Sequence, residues 1–245
     1  MTRLYKANMV RFLKNIYFIG GCLIALTFTF AVTTNTICFP FLEELDISRR
    51  MFFVTAAMVA FFTVFVPVFT NADYSDGVIR NKMIAGFTQK EILFSFYLSY
   101  ASLAFIMWIF YLIGGILGGA EPFGAYLVPN LIFLVALLGF VAVILVLSFR
   151  LRKTVAAVIA AGLLFQTCFT MVMFGNLMLM LAEDKLGIFP ALIYNVNVLG
   201  QWFSLSGFAD EVSDPGAGLQ LLISLAVIAV MAFVGSFKLN SRDVV

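Results

Sequence analysis

The sequence predicts an all-α integral membrane protein with six transmembrane helices, and three observations carry that prediction. Charged residues make up 11% of the 245 residues and hydrophobic ones 63%, against roughly 25% charged in a soluble domain. Six runs contain no Asp, Glu, Lys or Arg: 15–42, 51–72, 92–120, 122–149, 154–182 and 215–237. Each is longer than the ~20 residues a helix needs to cross a bilayer. Finally, Lys and Arg are shared unequally between alternate connections.

Each observation has a physical reason behind it. A water-facing domain of this size would have to cover its surface with Phe and Leu, whereas lipid accepts such a surface. The runs are apolar all round, so length rather than periodicity decides their structure. Helix is the open-ended geometry that satisfies its own backbone in lipid. Spans are expected at about 17–41, 52–70, 92–118, 126–149, 154–181 and 217–237, within one domain covering 1–245. The first run is longer than the roughly 7–15 residue core of a signal peptide, so no cleavable leader is expected.

Orientation follows from the cations. With the N-terminus in the cytoplasm, the inner segments hold Arg3, Lys6, Arg11, Lys14, Arg80, Lys82, Lys90, Arg150, Arg152, Lys153, Lys238 and Arg242. The outer segments hold Arg49, Arg50 and Lys185. The positive-inside rule therefore places both termini in the cytoplasm of a multi-pass protein in the cell membrane.

Residues 2–14 read as an amphipathic helix lying in the membrane interface. Arg3, Lys6, Arg11 and Lys14 share one face, and Tyr5, Met9, Phe12, Leu13 and Ile16 share the other. The plainer alternative is a basic flank that sets topology. In the longest inner loop, 71–91, Ser75 or Asp76 can cap a short helix from about Gly77 to Ala85, and Gly86 can end it. Thr88 and Glu91 have capping-box spacing ahead of the third span. The outer segment between spans five and six is apolar over 188–208 but interrupted by Pro190, Gly200 and Gly207. Two short re-entrant helices are expected there, with Asn195, Asn197, Gln201 and Trp202 near the outer mouth of any pathway.

Several chemistries are excluded or disfavoured. The chain has no histidine, which removes His-ligated zinc hydrolases and Ser-His or Cys-His nucleophile pairs. A membrane enzyme built on Asp pairs or Ser-Lys stays allowed. Cys22, Cys38 and Cys168 lie in apolar runs without redox or metal spacing. Ion-coupled carriers usually keep ionisable groups at mid-membrane, and the six runs have none. A transporter of this kind needs an outside energy source. Lys153-Thr154 has no Gly-rich run before it, so a phosphate-binding loop is lacking. No catalytic residue, metal ligand or bound cofactor is expected in the chain itself, and no nucleic-acid partner.

The stretch 73–95 resembles the loop between the second and third spans of type-2 ABC-transporter permeases, the ABC-2 type. The features that match are Asp76-Gly77, a short helix over 78–85, Gly86, and the turn Thr88-Gln89-Lys90. The interfacial helix, six spans, long outer loop and short tail extend the resemblance along the chain. Asp76 stands where that family often has Glu, and Lys90 where it often has Arg; both are conservative departures. The resemblance implies that this loop is a cytoplasmic coupling helix, seated in a separate ATP-hydrolysing subunit. Asp76, Gly77, Val78, Ile79, Arg80, Asn81, Lys82, Met83, Gly86 and Lys90 would carry that contact. Val78, Ile79 and Met83 would seat the helix, and Arg80, Asn81 and Lys82 would orient it. Arg150, Arg152 and Lys153 form a possible second contact, with topology alone as the alternative.

The implied partners are two copies of the ATPase, which bind ATP and Mg, a second permease chain (identical or homologous), and lipid. The implied activity is ATP-driven export of an antimicrobial peptide, drug or other amphipathic cargo. An ATP-independent channel or carrier, and a non-transporting membrane anchor or sensor, stay open as alternatives. Thr29, Thr33 and Thr36 fall on one face of the first span. They read either as a polar pathway lining or, more simply, as hydroxyls bonded within the helix or across a helix contact. Gly114, Gly115, Gly118 and Gly119 suit close helix packing.

Overall fold

The computed structural model describes residues 1–37, 39–124, 126–151, 153–181, 187–207 and 213–237. In chain order the helices are α1 (Thr2–Leu13), α2 (Ile16–Thr33), α3 (Ile47–Phe53), α4 (Thr55–Ser75), α5 (Val78–Ile84), α6 (Gln89–Leu117), α7 (Leu127–Arg150), α8 (Thr154–Leu181), α9 (Ile188–Val196), α10 (Val198–Ser206) and α11 (Ala217–Ser236), with a 3-10 turn at Pro40–Leu42. No strand occurs among the described residues. Six helical segments are long and apolar enough to cross a membrane: α2, α3–α4 together, α6, α7, α8 and α11.

α7 is the central post. In its most apolar stretch 72% of residues are buried, against 17% for α8 and 11% for α11. It packs against α4, α6, α8, α10 and α11. α2 lies along α6, where the glycines allow close approach: a Cβ on Gly114 would overlap the Leu26 carbonyl, and one on Gly118 the Thr33 side chain.

The span ends differ from the expected ones for local reasons. α2 stops at Thr33 rather than near 41, because Asn35 turns the chain with φ 57°. The second span is longer than 52–70. Asp46 accepts a bond from the Arg49 N–H at 2.9 Å and starts α3 early, the helix jogs at Val54, and α4 then runs on to Ser75, past Asp73. α6 starts at Gln89 behind a complete Thr88–Glu91 capping box.

α1 is rolled relative to the expected wheel. Leu4, Asn8 and Phe12 are buried against the protein, whereas Leu13 and Ile16, expected on the apolar face, are 43% and 77% exposed. α9 and α10 break apart at Asn197, which is extended at φ −77°, ψ 126°. The expected break at Gly200 is absent. That glycine sits inside α10, where its missing Cβ makes room for the Tyr194 carbonyl. Pro190 falls in the first turn of α9, where a missing N–H costs nothing.

Candidate functional site

At the end of the bundle that carries α1 and α5, four elements meet in a cluster around one carboxylate, which two of them contact directly. Asp73, in the last turn of α4, is 2% exposed. The Arg11 guanidinium of α1 donates to its Oδ1, and the Lys82 ammonium of α5 lies 3.5 Å from its Oδ2. Lys82 Nζ also donates to Asn8 Oδ1 at 2.9 Å and sits 4.5 Å from the Phe96 ring centroid on α6. Asn8 in turn donates to Ser95 Oγ of α6 at 3.3 Å. Beneath this cluster Phe12 packs on Tyr100 at 5.0 Å, and the Tyr100 hydroxyl pairs with that of Thr70 at 2.9 Å. Burial lowers the Lys82 pKa from its ordinary value, partly offset by the attraction of Asp73.

The local sequence explains how α5 is set there. Gly77, at φ 68°, ends α4 and begins α5 in a reversal that a side chain would strain. At the other end Gly86 N–H bonds the Met83 carbonyl at 2.9 Å and Phe87 N–H the Lys82 carbonyl at 3.2 Å, the Schellman pattern. Gly86, at φ 90°, takes the left-handed position. Neither Ser75 nor Asp76 caps α5: Ser75 bonds back to the Ala72 carbonyl, and Asp76 is the C-cap of α4.

The residues expected to contact an ATPase divide between two faces. Ile79 is 2% exposed and belongs to the chain's own core. Lys82 turns inward to Asp73, and Met83 is half-buried beside the Gln89 amide. Val78 and Gly77 are half-covered, while Asp76, Arg80, Asn81, Gly86 and Lys90 are exposed. Ile84, absent from the expected set, is 75% exposed. Arg150 donates to the Val234 and Phe237 carbonyls at 2.9 Å each, closing the end of α11. Lys153 is exposed; Arg152 and Cys38 lie outside the described residues.

All the expected pathway residues but the exposed Thr36 are engaged inside the protein. Thr29 and Thr33 bond carbonyls of their own helix at 2.5 and 2.9 Å. Thr36 lies beyond α2 and pairs with Thr34 at 2.8 Å, so it does not share their face. Trp202 donates to Thr55 Oγ1 at 2.9 Å. Gln201 donates to the Asn195 carbonyl at 2.8 Å and accepts from Ser224 at 2.9 Å. Asn195 bonds Ser213 Oγ at 2.9 Å. Two grooves of about 640 Å³ flank the bundle. One lies between α2 and α4, and the other among α7, α8, α10 and α11 beside Asn197, Gln201 and Ser224.

Sequence reasoning missed Asp73, Asn8 and the inward turn of Lys82. The one available signal was an acid one helical turn past Phe69, at the edge of a charge-free run. No group of three or more metal-binding side chains occurs among the described residues. The fold and its apolar spans define a multi-pass, all-helical membrane protein. Comparison with known protein families, curated proteins and solved structures finds no match to this chain.

Proposed function

We propose that this chain is the membrane-spanning permease subunit of an ATP-driven ABC-2 type exporter, with α5 as its lever. The observation that carries this reading is the clamp at Asp73. A helix of seven residues is too short to be stable alone, yet α5 is tied to α4, α1 and α6 through Ile79, Lys82 and Asn8. A push on α5 is therefore carried into three other helices. Its outward face, Arg80, Asn81 and Ile84, offers two hydrogen-bonding side chains around an apolar one, which suits docking into a cleft of a separate ATPase.

In this reading the α5 end faces the cytoplasm, and α1 lies at the membrane interface with Val10, Leu13 and Ile16 toward lipid. α9 and α10 re-enter from the outside. The ATPase pair binds ATP and Mg, and a second permease half completes the path. The grooves' nearly uniform apolar lining favours an amphipathic or apolar cargo, such as an antimicrobial peptide or drug.

The test is whether a gene adjacent to this chain's own encodes a phosphate-loop ATPase, and whether that ATPase co-purifies with the chain and drives transport through it. The variant carrying Arg80→Glu and Ile84→Asp alters only exposed side chains. It is expected to insert normally, lose the ATPase on purification, and stop ATP-dependent export. Export and co-purification at the parent level in that variant would remove the lever role. Export from vesicles holding this chain alone, without nucleotide, would instead favour a channel or carrier.

A further inference from the structure

α2 packs along α6, and α4 along α7 and α8. Between α2 and α4 they leave the first of the two grooves, about 640 Å³ in volume. Its two walls are of different kinds. On α4, Phe61, Phe65 and Phe69 recur every fourth residue, so one face carries a ladder of rings. Phe61 and Phe65 stack at 5.0 Å, and Phe65 and Phe69 approach to 4.5 Å. On α2 the groove meets Gly20, Gly21 and Ala25. A Cβ on Gly21 would strike the Phe61 ring, whereas one on Gly20 would meet nothing within 4 Å. The trough is therefore floored at Gly21 and open at Gly20.

Its length, width and ends narrow the choice of occupant. From Ile16 to Phe28 the groove follows α2 for about 18 Å, slightly more than one leaflet's ~15 Å share of the hydrocarbon layer. Spread over that length, the volume gives a cross-section of about 35 Å², and a helix about 10–12 Å across with its side chains needs roughly twice that. At one end lie two cations. Lys14, exposed and without an ion pair among the described residues, stands two residues before Ile16. Arg11, 40% exposed, reaches Asp73, one helical turn beyond Phe69. Lys82 meets the same carboxylate, so Asp73 does not neutralise Arg11 and Lys14. Tyr17, 69% exposed on the edge of the groove, suits a lipid–water boundary. The other end, at Phe28 and Val54, has no charged lining residue. The second groove, beside Asn197, Gln201 and Ser224, is lined by no cation at all.

We propose that the α2–α4 groove holds one acyl chain of an anionic phospholipid, with its phosphate at Lys14 and Arg11. A methylene chain is narrow enough to lie between the ring ladder and the glycines. The cations hold the phosphate as basic side chains do at a membrane surface, each worth about fivefold in affinity. The site uses neither the ATPase nor a second permease half.

The experiment is photolabelling of the full chain in phosphatidylcholine vesicles. They contain a trace of phospholipid with a photoreactive tail, headed either by phosphatidylglycerol or by phosphatidylcholine, and labelled residues are located by peptide mass spectrometry. Label is expected on α2 and α4 within the groove, at least roughly fivefold more from the phosphatidylglycerol probe. Lys14→Gln is expected to bring the two probes to within about twofold of each other. Gly20→Phe, whose ring enters open space, is expected to abolish the groove label. It should leave the label on exposed α11 residues such as Leu225 unchanged, which shows that the variant is folded and inserted. Equal groove labelling by both probes in the parent would mean ordinary lipid contact and would overturn the proposal. So would a preference unchanged by Lys14→Gln, or groove label that survives Gly20→Phe. A groove unlabelled by both probes, as cargo or another protein covering it requires, would overturn it as well.

Discussion

At the α5 end of the bundle one carboxylate, Asp73, is buried and met by cations from two other helices. At the α9–α10 end Asn195, Asn197, Gln201 and Gln220 are buried as well, yet all four are neutral. The amide end is closed by individual bonds to nearby groups, such as Asn195 to the Ala191 carbonyl at 2.8 Å and Asn197 to the Cys168 carbonyl at 2.6 Å. It tolerates gaps: Asn195 Oδ1 and Gln220 Oε1 have no partner among the described residues. The charged end joins elements 62 and 74 residues apart in sequence, and there losing Asp73 strands the Lys82 ammonium. A charged knot therefore behaves as one unit, while an amide network fails bond by bond.

The comparison breaks most directly at Asp73. Asp73→Ala leaves Lys82 buried without its counter-ion and is expected to cost about 3–5 kcal/mol, read as thermal or denaturant unfolding in detergent. Pairing Asp73→Leu with Lys82→Met removes both ions, and Arg11, 40% exposed, can turn to water. The double variant is expected to recover most of the loss. If the two losses simply add, the residues do not act as a unit.

Smaller effects are expected at the amide end. Gly200→Ala would drive a methyl into the Tyr194 carbonyl, a backbone atom that yields poorly, so about 2 kcal/mol of stability should be lost. A loss near zero would show that the α9–α10 corner is loose. Gln201→Leu frees the Asn195 carbonyl and one partner of Ser224. Since Ser224 keeps its bond to the Gln220 carbonyl at 3.0 Å, about 1 kcal/mol is expected. A loss as large as that at Asp73 would erase the contrast between the two ends.

The spans were legible because hydrophobic length is a one-dimensional signal, and close packing of α6, though not its partner α2, because Gly114 and Gly118 announce it. Span ends were less so: Asp46 capping α3 and Asn35 turning positive depend on which backbone groups need partners. The clamp was illegible for a different reason. Asp73 reads as the start of a polar loop, since Ser75, Asp76 and Gly77 follow it. Only folding shows that α4 continues to Ser75 and that Arg11 arrives from a helix whose cations all looked solvent-facing. Position along α5 gave Val78, Ile79 and Met83 as its seating face. Instead Ile79 joins the chain's own core, Lys82 turns in over the Phe96 ring, and Ile84 is left outside.

The smallest expected effect tests whether the knot holds Lys82 at a cost. Burial penalises the ammonium more than Asp73 favours it, so its folded pKa lies below the ordinary value. The unfolded chain, with a lysine pKa of about 10.4, therefore holds that proton more tightly. Between the folded value and the unfolded one the unfolded state binds more protons, so this group's contribution to stability rises with pH. Below that window the contribution is constant and at its least favourable. Lys82→Met removes the rise, and Asp73 keeps Arg11. Unfolding midpoints of both proteins, measured from about pH 7 to 11, should therefore diverge in the alkaline range, with the parent gaining relative to the variant. A difference that stays flat across that range would mean the ammonium is as well solvated in the fold as in the open chain, and the α5 end would then differ from the amide end in charge alone.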